Sequence, residues 1–389
     1  MWFLVQTPHP WRGIRQRPHH LMAWFARRGH RIHWVQPRYL RWLVERRRDF
    51  LEARREEPLP GLTVQPVTLL NGERLPAVRR CNRSRLARAL GAGSGGGEEA
   101  GPRILWLYNP HESHLADAVP HDLLVYDIMD EYRGFPWSPP RIAEEEAELL
   151  RRADLVFAGT HALHEAKRAM AGGRVECILS GVDRELFAAA GGHGKAEAAW
   201  RTSPAHQAIR RRARRLAGYA GMIDQRLDQS LLRAAARALP DWEFVLVGPT
   251  VGELARLRGD PRIHLHPPVR HEDLPWYYRA WDAALLPFVE SELTRHINPT
   301  KMLEYGAAGT PIVARALPDV ARFYADGAWL YREPEEFLAH LREIDLLPPD
   351  APAPRQRAAL QWAEERGWDR LADRMLAIVE EMLARRRPH

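Results

Sequence analysis

Cysteine is almost missing from this chain of 389 residues: only Cys81 and Cys177 occur, and neither stands in a metal-ligand spacing. That excludes a disulfide framework and a thiolate zinc site, and it fits a reducing cytoplasm. Long apolar runs are missing too. None approaches the ~18–20 residues that span a bilayer, and Met1-Trp-Phe-Leu-Val-Gln6 reads directly as a strand instead of a basic leader. The expectation is a cytoplasmic protein, neither exported nor integral. There is no Walker P-loop, no nucleophilic Ser elbow and no Asp-x-Asp beside a nucleotide pocket. No residue is therefore assigned to a metal, and no resident cofactor is expected. Lysine is the last scarcity: Lys167, Lys195 and Lys301 stand alone against a large excess of arginine.

What is present is length, apolar content and a lopsided charge. A chain this long can fill two cores, since single cores stop growing near ~250–300 residues. Hydrophobic content of 45% with 28% charged residues describes a globular protein. The net charge of +7 is gathered at the front, where residues 1–60 hold thirteen Arg against Glu45, Asp49, Glu52, Glu56 and Glu57. Within that stretch, residues 38–51 mix Tyr39, Trp42, Leu43 and Phe50 with arginine, which predicts one amphipathic helix. Two readings stay open for it. One is a helix lying on an anionic membrane surface; the other is a solvated Arg-rich helix packing its apolar side inward.

Short apolar runs and helical patterns alternate along the chain. Strands are predicted at 1–6, 31–36, 62–67, 103–108, 122–128, 154–158 and 174–178, with helices between them. A second series of strands is predicted at 216–221, 243–247, 262–265, 282–286 and 311–313. This predicts an α/β protein with two doubly wound parallel sheets. The first domain is expected over 1–187, a connection over 188–215, a second domain over 216–350, and a helical tail over 351–389. Gly91–Glu99 reads as a flexible loop inside the first domain.

The most informative string runs from Ser291 to Val313. Pro299 suits the first turn of a helix, and Lys301 and Glu304, three apart, share one face of that turn. A helix N-terminus carrying Lys suits a phosphate, and a carboxylate one turn deeper suits sugar hydroxyls. Asn298 and Thr300 flank the Pro and are counted with them. The string describes a nucleotide-sugar site, although the Lys–Glu pair alone is equally an ordinary pair on a surface helix.

This string resembles the donor-binding helix of GT-B glycosyltransferases, in particular the retaining glycosyltransferase family 4 and relatives that build bacterial surface polysaccharides. Trp11–Leu21, Val125–Asp130, Arg152–Thr160, Ser180–Asp183, Gly218–Asp224 and Phe244–Pro249 resemble further pieces of that group, in its order, over about residues 1–330. The resemblance implies two Rossmann-like domains facing a cleft, with a C-terminal helix crossing back to the first. It implies a donor that is a nucleotide diphosphate sugar, with UDP or GDP as the nucleotide. The acceptor would be a saccharide or lipid-linked, and the enzyme retaining and metal-independent.

Glycosyl transfer builds negative charge on the departing diphosphate, so a cation must meet it. Lys301 is the first candidate. The resemblance implies a second basic residue after the Gly221 turn, which lands on Arg226; Met222 stands where the group has another. Arg226 equally reads as a surface residue opening a helix. Glu304 matches the group's ribose-binding Glu, but its companion position is His296, with Glu290 and Glu292 nearby out of register. Backbone around Gly248 and Val269 is expected to read the base. In the first domain, Gly13 lets backbone approach a ligand closely, and Gln16 and Arg17 follow on the acceptor side. Asp130, beyond a buried-looking strand with Asp127, is the candidate for deprotonating the acceptor hydroxyl, and equally fits a turn cap. His19, His20, His111 and His114 are assigned no role. The expected partners are the nucleotide sugar, the acceptor and, on the first reading of residues 38–51, the inner face of an anionic membrane. Nucleic acid is not expected, despite a pI near 9.7. Rival readings are a GT-B nucleotide-sugar epimerase, a nucleic-acid-binding protein and a degenerate transferase subunit.

Overall fold

The computed structural model describes residues 1–12, 15–45, 47–92, 101–135, 138–188, 207, 209, 211, 214–254, 257–348 and 352–386. The chain divides into two compact units. Residues 1–179 and 368–389 form the first, and 180–367 the second. Most of the expected connection over 188–215, and the loop residues 93–99, lie outside the described residues.

The first unit is built on β1 (Trp2–Gln6), β2 (Arg31–Tyr39), β3 (Glu56–Leu59), β4 (Leu62–Leu69), β5 (Arg103–Leu107), β6 (Leu123–Ile128), β7 (Leu155–Ala158) and β8 (Arg174–Cys177). They line up as β3-β4-β2-β1-β5-β6-β7-β8. Every pairing is parallel except β3 with β4, an edge hairpin with a shifted register. Successive side chains of β1 feed opposite faces: Phe3 and Val5 join one apolar cluster, Leu4 the other. Both faces are covered, which is why these strands read as continuous apolar runs. The strand order reverses between β1 and β5, so their carboxyl ends open the crevice where such sheets take ligands.

The second unit repeats the plan with β9 (Arg215–Ala220), β10 (Trp242–Val247), β11 (Ile263–His266), β12 (Ala283–Leu286), β13 (Ile312–Arg315) and β14 (Trp329–Tyr331). The all-parallel order is β11-β10-β9-β12-β13-β14, and the reversal falls between β9 and β12. Val182 and Phe187, grouped with the first domain in sequence, are buried in the core of this unit.

Several elements differ from expectation. β3 and β14 were not foreseen, being short and only half alternating. Residues 38–51 are not one helix. Arg38 and Tyr39 finish β2, whose pairing with β4 runs on to Tyr39↔Leu69, and two short helices follow at Trp42–Glu45 and Arg47–Glu52. The tail is also two helices, Pro354–Glu365 and Trp368–Arg386, broken at Arg366-Gly367. The earlier one buries Ala359, Trp362 and Ala363 in the second unit. The last one buries Trp368, Ala372, Met375 and Val379 in the first, so the chain does end in the unit where it began.

Candidate functional site

In the second unit the reversal point is marked by two glycines. Gly221 follows β9 and Gly248 follows β10, both at φ +148°. A Cβ on Gly248 would sit 1.9 Å from the Gly221 carbonyl oxygen, and one on Gly221 would sit 2.4 Å from Cε of Lys301. The close approach of two backbones and a lysine stem therefore requires glycine at both positions.

Lys301 opens the helix Lys301–Ala307. That helix is fastened to β9 by Tyr305, whose hydroxyl accepts from the Ala220 amide at 3.2 Å. The Lys301 ammonium lies 5.8 Å from the Tyr219 ring centroid. Tyr219 in turn donates to the Met222 carbonyl at 3.0 Å. Among the described residues Lys301 makes no hydrogen bond and no ion pair within 4 Å. Burial pushes its pKa below the ordinary lysine value; Glu304 and Asp224 pull it up, and Arg226 adds to the fall. The side chain still keeps part of its surface open. It is a partly desolvated cation with no anion in contact, and an arriving phosphate would supply one.

Arg226 lies in the turn before the helix Gln229–Ala238. Its guanidinium forks onto Asp224 at 2.8–3.1 Å, and both side chains are about one-fifth exposed. Glu304, one turn into the Lys301 helix, accepts from the Tyr278 hydroxyl at 2.8 Å, which fixes one carboxylate oxygen. Val269 packs half-buried against the core of the unit. Asn298 is turned inward. Its amide donates to Asp319 at 3.2 Å and accepts from the Tyr324 hydroxyl at 2.8 Å, so its side chain holds the loop instead of facing solvent. Thr300 precedes the helix, and its carbonyl accepts from Leu303 and Glu304 at 3.0 and 3.1 Å. His296, where the resemblance wants Glu, has its ring on the Glu292 carbonyl at 2.9 Å. Glu290 sits against Arg295 and Arg315. The structure thus brings together Gly221, Gly248, Arg226, Lys301 and Glu304.

Sequence reasoning missed Tyr219, Tyr278 and Asp224. Asp224 carried a signal, being two residues from Arg226. The tyrosines carried none, because they reach the site only when β9 and the helix Leu274–Ala280 pack beside Lys301 and Glu304.

In the first unit the acceptor-side candidates fare differently. Arg17 is buried at 3% exposure and its Nε faces both Asp127 oxygens at 3.0 and 3.2 Å. It also donates to the Ile178 and Leu179 carbonyls at 2.6 and 3.3 Å. Burial raises the Asp127 pKa while Arg17 pulls it down. Arg17 is a buried tether, not a surface contact. Gln16 stays partly exposed, its backbone N–H donating to His19 Nδ1 at 3.2 Å. Asp130 is half-buried just beyond β6, and Gly13 lies outside the described residues. Near the ends of β4 and β5, His111 bridges Glu145 at 2.7 Å and Glu73 at 3.2 Å. Those two bonds push its pKa up to about 10, while burial raises neighbouring Glu112 to about 7.

The chain is similar to several known proteins. A family described as glycosyl transferase-like matches residues 196–377. The chain is 26% identical over 267 residues to a putative teichuronic acid biosynthesis glycosyltransferase, TuaH, of Bacillus subtilis. That match covers 62% of this chain and 63% of the relative. Sucrose-phosphate synthase from Thermosynechococcus elongatus superposes with a TM-score of 0.76 at 16% identity, covering 98% of this chain and 99% of that one. HepE of Anabaena, solved in complex with UDP and glucose, gives 0.70 at 15% identity, covering 98% and 100%. The E. coli trehalose-6-phosphate protein bound with UDP-2-fluoro glucose gives 0.70 at 11% identity over 98% and 99%. The architecture is that of the GT-B glycosyltransferases, as the sequence resemblance implied.

Proposed function

We propose that this GT-B chain is a glycosyltransferase that moves a sugar from a nucleotide diphosphate sugar to a saccharide or lipid-linked acceptor, in the making of a surface polysaccharide. The observation that carries the reading is Lys301: a partly buried ammonium without a contacting anion among the described residues, beside the Gly221 turn at the reversal point of the second sheet. As the glycosidic bond to the diphosphate breaks, the charge that grows on the leaving phosphate is met by a cation already in place. Glu304, held by Tyr278, takes ribose hydroxyls, and the backbone at Gly248 and Val269 borders the base. Arg226 contributes its positive field while Asp224 keeps its fork in one orientation. In the first unit Asp130 is the group for the acceptor hydroxyl, and Gln16 is a further acceptor-side residue.

UDP is the favoured carrier, because two of the similar structures hold UDP or a UDP-sugar. Retention of configuration is what the resemblance implies. With Lys301 opposite the diphosphate, no divalent ion is required for the charge, and turnover should survive chelation. A lipid-linked acceptor would place the work at the inner face of the plasma membrane. The decisive experiment is a thermal-shift screen against UDP, GDP, ADP, dTDP and their sugars. A ligand at ~100 times its dissociation constant stabilises by ~2.7 kcal/mol. A shift with UDP and its sugars is expected, smaller in Lys301→Ala. No shift with any nucleotide overturns the reading.

A further inference from the structure

The pattern of residues 38–51 plays no part in the donor site, and its exposure is unusual. The segment is anchored through one side. Phe50 is buried beneath the Arg38 guanidinium, 4.5 Å from its ring centroid. Arg38 also donates to the carbonyls of Phe50 and Ala53 at 3.1 and 2.7 Å. Trp42 meets Tyr39 edge to face at 5.9 Å. With those aromatics turned in, the aliphatic side chains turn out: Leu40 is 41% exposed, Leu43 38%, Val44 91% and Leu51 60%. Leu75, 62% exposed, lies just beyond the strand end that Leu40 joins through its bond to Leu69. Arg41, Arg47, Arg54, Arg55 and Arg74, all exposed, are near them in sequence, and Arg41 faces Glu45 at 3.7 Å.

A solvated helix that packs its apolar side inward accounts for buried Phe50 but not for exposed Val44 and Leu51. We infer that this face of the first unit docks on an anionic lipid surface, with Leu43, Val44 and Leu51 entering the acyl boundary and the arginines pairing with lipid phosphates. Each part fits the chemistry: aliphatic groups gain by leaving water, and guanidinium forks match phosphate geometry. The excess of positive charge over residues 1–60 extends the attraction to distances of a Debye length. A second copy of the chain fits worse, because a two-fold contact through this face sets arginine against arginine.

The inference does not depend on glycosyl transfer, because binding is read without turnover. The full chain is sedimented with vesicles of phosphatidylcholine alone and of phosphatidylcholine mixed with phosphatidylglycerol. Recovery with the anionic vesicles is expected, with release at high salt. The double variant Leu43→Asp, Val44→Asp should lower partitioning about tenfold or more at unchanged melting temperature, since both sites face water. Arg41→Glu with Arg47→Glu should weaken binding and blunt its salt dependence. Equal recovery with both vesicle types, or full partitioning of the Leu43→Asp, Val44→Asp variant, overturns the inference. A concentration-dependent dimer abolished by that variant, without vesicle binding, assigns the face to a second copy instead.

Discussion

Arg17 in the first unit and Lys301 in the second both lie at the carboxyl edge of their sheet, and the two cations are in opposite states. In the first unit Arg17 is fully engaged: Asp127 neutralises it, and two carbonyls and a Met375 sulfur at 3.7 Å take its remaining donors. In the second unit Lys301 has lost water without gaining an anion. A paired buried cation organises structure, and removing its partner leaves an uncompensated charge. A cation left uncompensated by the fold costs stability and is available to a ligand. Partnering, more than position or burial, separates the residue that holds the protein from the residue placed to act.

The largest expected effect tests the paired side. Arg17→Ala strands Asp127 in an apolar surround and should destabilise the protein by ~3–5 kcal/mol, read by urea or thermal melting. Lys301→Ala should leave the melting temperature unchanged or raise it, because it deletes a desolvated charge. Equal losses of stability in the two variants would break the comparison.

The next effect is on chemistry. Lys301→Ala should cut turnover by ~10²–10³-fold in single-turnover experiments, more than it weakens ground-state nucleotide binding. Glu304→Ala should instead weaken donor binding by about tenfold with saturated turnover little changed, since ribose hydroxyls do not change during the reaction. Unaltered turnover in Lys301→Ala would remove it from the site. The protonation state sharpens this further. Only the ammonium form meets a phosphate, and burial lowers its pKa. Nucleotide affinity should therefore fall with rising pH before an ordinary lysine would titrate, and that fall should vanish in Lys301→Ala.

The smallest effect concerns the other charged cluster of the first unit. The bonds to Glu145 and Glu73 raise His111 from 6.5 to about 10 in the folded protein. A raised folded pKa contributes stability that is complete below about 6.5 and is lost as pH climbs toward about 10. Glu112, raised from 4.5 to about 7 by burial, acts in the same direction between those values because its ionisation is resisted in the fold, so the two groups together span about 4.5 to about 10. The melting temperature should decline over that interval, and His111→Gln should flatten the decline. A profile that is flat in the parent protein rules out the bridge.

The sequence by itself determined the two doubly wound sheets and the composition of the donor edge. Parallel strands buried on both faces, as in β5 and β10, must be continuous apolar runs, and the turns that let backbones approach must be glycine, as at Gly221 and Gly248. Lys301 and Glu304 were legible for the same local reason, a fixed spacing on one helical turn. Tertiary structure decided what partners these groups have. Asn298 reads like a ligand contact in the string but is drawn inward by Asp319 and Tyr324, which lie 21 and 26 residues away. Arg17 stands beside a ligand-like glycine but is bound by Asp127, 110 residues away. Residues 38–51 show amphipathicity in the sequence, yet only packing reveals that Phe50 turns in while Val44 turns out. Spacing along a chain fixes which groups can share a face. Whether a charge arrives there already neutralised depends on contacts between distant segments, which periodicity does not record.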